Sequence, residues 1–372
     1  MRRTRLVRCV LVSALLLGLL GLVGVAPAGA QNTAEQSDEW DIWCWVNRER
    51  IKGGVAPLPM ARLLRDNVAR PYSSTLASRN STYLEHRSDL WSATSRAIAG
   101  VDFAGENIGY SHTFYTVQSL YDAWMQSSTH RSNIRSGRWE YIGIGITHGG
   151  SRRWGVQNFA STNRTDVTTV YPPGQRFIDV CDGNAFFNDI NWMYDQGITT
   201  GTVYPRYKMY KPTTTVSRSA MAAFLYRTIS PGTSTAPPTC SLTPYPYSDG
   251  GRNPFAGEIC WLASQGINDF NPTTPGLFSP GAVISRARVV DWLYRASDRG
   301  CDDPQNTTPE DCFTPPADVS FTDVPTTNAQ FAAVEWASAA GVSRGYPDRT
   351  FLPSWSITRE AMAAMLQRYA NR

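Results

Sequence analysis

The sequence predicts an α+β protein: a first half that mixes helices with a β-hairpin, and a second half built from helices repeated three times. Three observations carry that prediction. The 372 residues are 42% hydrophobic and 18% charged, too apolar for disorder and too long for one small domain. Apolar residues alternate at Ile142, Ile144 and Ile146, and recur at Trp154, Val156 and Phe159, around a glycine turn. After residue 176, one ordered set of landmarks appears three times.

Residues 1–30 are read as a secretory signal rather than as fold. Arg2, Arg3, Arg5 and Arg8 precede an apolar run from Val10 to Val25, and Ala28-Gly29-Ala30 supplies an A-x-A exit. The run is shorter than the roughly 20 residues that span a bilayer, and no basic stop follows it. Cleavage after Ala30 is therefore expected over a retained anchor, with no transmembrane span afterwards. Without those four arginines, the 35 basic residues become 31 against 31 acidic ones. A chain with no net charge has no overall field to attract nucleic acid, so that partner is not expected.

Cys9 leaves with the signal, and Cys44, Cys181, Cys240, Cys260, Cys301 and Cys312 remain. An even count in an exported chain reads as disulfides, although sequence alone does not choose the pairing. Short turn-rich loops suggest Cys240 with Cys260 and Cys301 with Cys312. Cys44 with Cys181 is left by elimination and would staple the halves together.

The first domain is placed at residues 38–163. An amphipathic helix carrying Trp43, Val46, Asn47 and Arg50 turns at Gly53-Gly54 and resumes after Pro57-Leu58-Pro59 in a second helix with Leu63, Leu64 and Val68. Leu120, Tyr121 and Trp124 mark another helix, and the two strands meet at His148-Gly149-Gly150-Ser151. All four histidines, His86, His112, His130 and His148, fall in this half, so imidazole chemistry belongs there. His112 and His148 sit in loop-like surroundings and read as surface residues. Residues 164–175, with Tyr171-Pro172-Pro173-Gly174, form a linker.

The repeats are placed at 176–231, 244–297 and 317–372. Phe177-x-Asp179, Tyr247-x-Asp249 and Phe321-x-Asp323 open them, followed by Trp192, Trp261 and Trp336. Then come Gly197, Gly266 and Gly341, the aromatic-x-Pro turns at Tyr210, Phe278 and Phe351, and Ser217-Arg218, Ser285-Arg286 and Thr358-Arg359. Each unit reads as helix, loop, helix: the glycine is a left-handed stop and the Ser or Thr an N-cap. One unit buries too little to stand alone, so three should share a core.

These landmarks resemble the S-layer homology repeat over about residues 176–372. The resemblance implies an all-α pseudo-threefold module that binds secondary cell-wall polysaccharide or a peptidoglycan-linked polymer. It carries the family's binding arginines onto Arg218, Arg286 and Arg359, and its opening aspartates onto Asp179, Asp249 and Asp323. An arginine fork suits an acidic sugar; the alternative is that each arginine pairs with an opening aspartate. Repeat two departs most, with Phe270 where Gly201 and Gly345 stand.

In the first half, Asn47-Arg48-Glu49-Arg50, Gly105-Glu106-Asn107-Ile108, Trp124-x-x-Ser127-x-x-His130 and Ile142-Gly143-Ile144-Gly145 resemble the CAP superfamily, the SCP or PR-1-like extracellular domain. That implies an α-β-α sandwich with a cavity lined by His86, Glu106 and His130, which could hold a divalent ion such as zinc. The alternative is a structural cluster in which Glu106 caps backbone amides. Ser127 stands where other members have a glutamate, which weakens a general-base role. No G-x-S-x-G, H-E-x-x-H or phosphate loop is present. The sequence therefore reads as a secreted, wall-attached display protein whose CAP-like domain binds a small or apolar ligand, a lipid or a partner, with no confident catalytic residue. The runner-up is a metal-dependent hydrolase of peptide or wall material acting through His86, Glu106 and His130.

Overall fold

The computed structural model describes residues 33–80, 82–230, 237–267, 276–297 and 313–372. The expected signal segment, Phe270 and the Cys301–Cys312 pair lie outside the described residues.

Helix α1 (Thr33–Lys52) buries Ile42, Trp43, Val46 and Arg50 on one face. The turn that follows is held by α1 itself: Asn47 Oδ1 accepts the Leu58 amide at 2.7 Å, while Asn47 Nδ2 and Trp43 Nε1 donate to the Leu58 carbonyl. Strand β1 (Met60–Ala61) leads into α2 (Arg62–Leu64), a π turn over Arg65–Ala69, and α3 (Arg70–Arg79). Then come α4 (Leu90–Ala97), β2 (Val101–His112), α5 (Gln118–Gln126), α6 (Ser128–Arg135), β3 (Tyr141–Gly149), β4 (Arg152–Thr162) and β5 (Thr169–Val170). The strands form one sheet in the order β2-β4-β3-β1-β5, antiparallel except where β1 meets β3.

Helices cover both faces of this sheet, and alternation along β3 explains how. Ile142, Ile144 and Ile146 pack with Trp43, Leu120 and Trp124 on one face. Gly143 and Gly145 face the other side, where a Cβ would come within 2.6 Å of the Leu64 carbonyl carbon and 2.4 Å of that of Ala69. Only glycine lets the segment from α2 to α3 lie so close. The β3–β4 hairpin falls where the sequence placed it. Strand β2 escaped the sequence reading, because Glu106, Asn107 and Ser111 break its apolar pattern; it pairs with β4 along its whole length.

The second half supplies α7 (Phe187–Asp195), α8 (Arg218–Ile229), α9 (Ala256–Ser264), α10 (Arg286–Arg295), α11 (Phe331–Ala339) and α12 (Arg359–Ala370). Ser217, Ser285 and Thr358 cap the second helix of each pair by accepting the amides of Ala220, Arg288 and Ala361. Gly197, Gly266 and Gly341, at φ of 70°, 73° and 68°, stop the first. The expectation of an all-helical module is corrected in repeat one, where β6 (Thr202–Val203) pairs with β7 (Lys208–Met209).

The pairs close on each other as a ring. Helix α8 packs on α9, α10 on α11, and α12 back on α7. At the centre, the Ile284 amide donates to the Val216 carbonyl, the Ile357 amide to that of Ile284, and the Val216 amide to that of Ile357. One apolar cluster runs from Phe177 to Tyr369. Among the described residues two disulfides are formed: Cys44–Cys181 ties α1 to the segment before α7, and Cys240–Cys260 ties the chain before repeat two to α9.

Candidate functional site

The first candidate centre is built on β2 and α6. Glu106 lies on β2, its side chain 1% exposed, and its Oε1 is 2.8 Å from His86 Nδ1. The same oxygen accepts the Arg87 amide at 3.2 Å, and Oε2 accepts Asn158 Nδ2 at 3.1 Å from the neighbouring strand. A carboxylate can only accept, so Nδ1 of His86 carries the proton that bridges the pair. His86 itself is 59% exposed. It faces a cavity of about 590 Å³ whose walls include Tyr72, Arg79, Tyr83 and Glu85. Glu106 thus orients the imidazole from behind, and also caps a backbone amide.

His130 sits in the first turn of α6, where Ser127 is the N-cap. This gives Ser127 a structural task in place of an acid. Asn107 fixes the helix to β2: its Nδ2 donates to the His130 carbonyl at 3.1 Å and to Gln157 Oε1 at 2.9 Å, and its Oδ1 accepts Asn133 Nδ2. Burial, and then repulsion from His86, hold the His130 imidazole below its ordinary pKa of 6.5. The two histidines and Glu106 are therefore brought into one region.

A divalent ion does not fit this set. Among the described residues, no three His, Cys, Asp or Glu side chains converge to hold a metal. Glu106 instead spends Oε1 on His86 and the Arg87 amide and Oε2 on Asn158.

The second candidate set lies in the repeats, and the opening aspartates do not pair with arginines in the way the sequence alternative supposed. Asp179 accepts the amides of Tyr210 and Lys211, Asp249 those of Phe278 and Ser279, and Asp323 those of Phe351 and Leu352. The second residue of each pair is left-handed, with φ of 60° at Lys211, 54° at Ser279 and 58° at Leu352. The carboxylate holds a turn that a side-chain-bearing residue adopts reluctantly.

The arginines reach instead across repeat boundaries. Arg218 Nε donates to the Phe278 carbonyl at 2.6 Å, Arg286 Nε to Phe351 at 2.9 Å, and Arg359 Nε to Tyr210 at 2.7 Å. Each guanidinium also lies over the ring of the residue whose carbonyl it binds, 4.5–5.0 Å from the centroid. Burial lowers the pKa of Arg286 and of Arg359 from the ordinary guanidinium value.

Two residues without a bonding role in the sequence reading carry structure. His148 is on β3, not in a loop, and its Nε2 lies 2.7 Å from Asp38 Oδ2, which also accepts Arg153 Nε at 2.6 Å. Arg50 is fully buried and donates to the carbonyls of Ala56, Ile134 and Ser136, tying α1 to the end of α6. His112 stacks on the exposed Phe114.

The family model described as S-layer homology domain matches residues 320–363. The uncharacterized protein YkwD of Bacillus subtilis (strain 168) is 32% identical over 110 residues, 28% of this chain and 41% of that protein. The chain spans about two fifths of that relative's length. Two solved structures resemble the N-terminal part. One is an extracellular protein containing a SCP domain from Bacillus anthracis, at 25% identity and TM-score 0.30, covering 34% of this chain and 41% of that one. The other is a cysteine-rich secretory protein from Staphylococcus aureus, at 19% identity and TM-score 0.28, covering 34% and 40%. Among the described residues, no helix is long and apolar enough to cross a membrane.

Proposed function

We propose that this chain, whose S-layer homology domain implies attachment to the cell wall, is a display protein: three repeats grip a wall polymer and hold the N-terminal domain outside the cell. The observation that carries this reading is the ring of three arginine-to-carbonyl bonds. The same arginine-to-carbonyl bond recurs in the two repeats outside the family match and in the one inside it, which supports reading all three as one kind of unit. In the ring, Arg286 and Arg359 use Nε internally and have no hydrogen-bond partner for Nη1 or Nη2 among the described residues. Those nitrogens remain for an acidic group on a polysaccharide or peptidoglycan-linked polymer. Asp179, Asp249 and Asp323 act through the turns they hold rather than as contacts.

In this reading the N-terminal domain is a binding module, and its ligand is small and polar. The cavity at His86 is walled by Arg79, Arg87, Glu85 and Asp89, a rim suited to hydrogen bonding rather than to a lipid chain. Hydrolysis through His86, Glu106 and His130 is the weaker reading, because a base must have a free lone pair facing its substrate and Glu106 is held by His86, Arg87 and Asn158.

Sedimentation of the full chain with purified cell wall tests the anchoring. Retention on intact wall, and loss of retention once the wall polysaccharide has been extracted, is expected; equal retention on both preparations would sink it. For the first domain, zinc titration of the wild type and of His130→Ala should give weak and similar binding. Tight binding abolished by His130→Ala, with cleavage of wall fragments, would restore the hydrolase.

A further inference from the structure

A wide opening lies neither in the N-terminal domain nor wholly in the repeats, but where the two meet. It has a volume of about 710 Å³, well within the range of small-ligand sites. Arg48 and Ile51 of α1 line it from one side, and Asp179, Asn184, Lys211 and Glu360 from the other. The Cys44–Cys181 disulfide forms part of the wall and fixes the two sides together. This joint therefore sits at the closure of the ring, where α12 returns to repeat one.

The charges in the opening are not used alike. Asp179 spends both oxygens on the amides of Tyr210 and Lys211. Glu360 accepts Asn184 Nδ2 at 3.1 Å through Oε2. Arg48, by contrast, is exposed and makes no hydrogen bond or ion pair among the described residues. The Lys211 ammonium meets the Tyr204 ring at 5.8 Å and has no acidic partner among them. Two cations thus face the space from opposite walls, Asp179 is engaged through both oxygens, and Glu360 through one. Ile178, Phe186 and Met209 add apolar surface, which suits the C–H face of a sugar ring.

We propose that this junction is a composite subsite for an acidic sugar of the wall polymer, in which Arg48 of the N-terminal domain acts as a specificity-determining residue for attachment. The proposal rests on the anchoring reading above. Its consequence is that the displayed domain is part of the grip: one anchoring groove is complete only when both halves are present and joined by Cys44–Cys181.

The test measures retention of the full chain on purified cell wall, as the protein concentration giving half-saturation. Arg48→Glu should raise that concentration by about tenfold or more, as expected for loss of a charge-assisted contact, and Arg48→Gln should raise it by less. Lys52→Glu changes charge equally on the same helix but outside the opening, and should stay within about twofold of wild type. Free glucuronate should compete with wild type and not with Arg48→Glu. If the wild type is retained and Arg48→Glu matches it, the composite subsite is wrong while anchoring stands. Equal losses in Arg48→Glu and Lys52→Glu would reduce the effect to net charge and overturn the proposal. If the wild type itself is not retained, both readings fall.

Discussion

Arg359 Nε and the carbonyl of Tyr210 are 2.7 Å apart although 149 residues separate them, and this bond joins the last helix of the chain to its first repeat. The Tyr210 hydroxyl returns a hydrogen bond to the Arg359 carbonyl at 2.8 Å. Together they make repeat three and repeat one neighbours, so the ring closes without a fourth unit.

Arg359→Ala should therefore cost stability as well as wall binding. The loss of a charge-assisted bond and of ring stacking is expected to lower unfolding free energy by about 2–3 kcal/mol. Urea unfolding of the variant measures this; an unchanged midpoint would show that the arginine is free for the polymer alone.

Gly345 is left-handed at φ 64°, and a Cβ there would come within 2.2 Å of Phe321 Cε1. Gly345→Ala should destabilise by about 1–3 kcal/mol, from backbone strain and overpacking combined. Gly201, at φ 66° with Phe177 at 2.4 Å, should respond alike. Thermal melts of both variants check the equivalence of repeats one and three.

Removing Cys44–Cys181 with paired serines opens a loop of 137 residues. Stability should fall by about 2–5 kcal/mol, and retention on cell wall should weaken in parallel with Arg48→Glu. A calorimetric scan with and without reductant gives the first quantity; no shift would show the joint to be held by packing.

His130 has a pKa below 6.5 in the folded state, so the unfolded chain binds its proton more readily. Stability linked to this group is intact above about pH 6.5 and declines as pH falls from there toward the lowered folded pKa. His130→Gln should flatten that part of the profile. Denaturant midpoints between pH 7.5 and 4.5 in both proteins would settle the point.

Arg50 is buried without a carboxylate in hydrogen-bonding contact and is pushed down to a pKa of about 10 by desolvation. Arg50→Ala strands three carbonyls and detaches α6 from α1, a loss expected at about 3–5 kcal/mol. Hydrogen exchange should then rise selectively in residues 128–135.

Much of this architecture is legible in the order of residues. Strict alternation in β3, N-caps at Ser217, Ser285 and Thr358, and glycine stops at 197, 266 and 341 are local rules, because each depends on neighbours within one turn or one strand. Landmark spacing predicted three units, and short loops with one remaining pair gave Cys240–Cys260 and Cys44–Cys181. His86, Glu106 and His130 were drawn together by resemblance; the fold pairs His86 with Glu106 and sets His130 in the first turn of α6.

The partners of the charged residues were decided elsewhere. Asp179, Asp249 and Asp323 accept backbone amides some thirty residues away, and each arginine binds the next repeat rather than its own aspartate. Neither choice leaves a trace in sequence, since a carboxylate serves an ammonium, a guanidinium or an amide equally well until packing fixes which donor is desolvated beside it. Strand β2 was likewise hidden, because its buried polar residues are satisfied only after β4 and α6 arrive. Periodicity set the elements, whereas the assignment of every buried charge waited for the chain to close on itself.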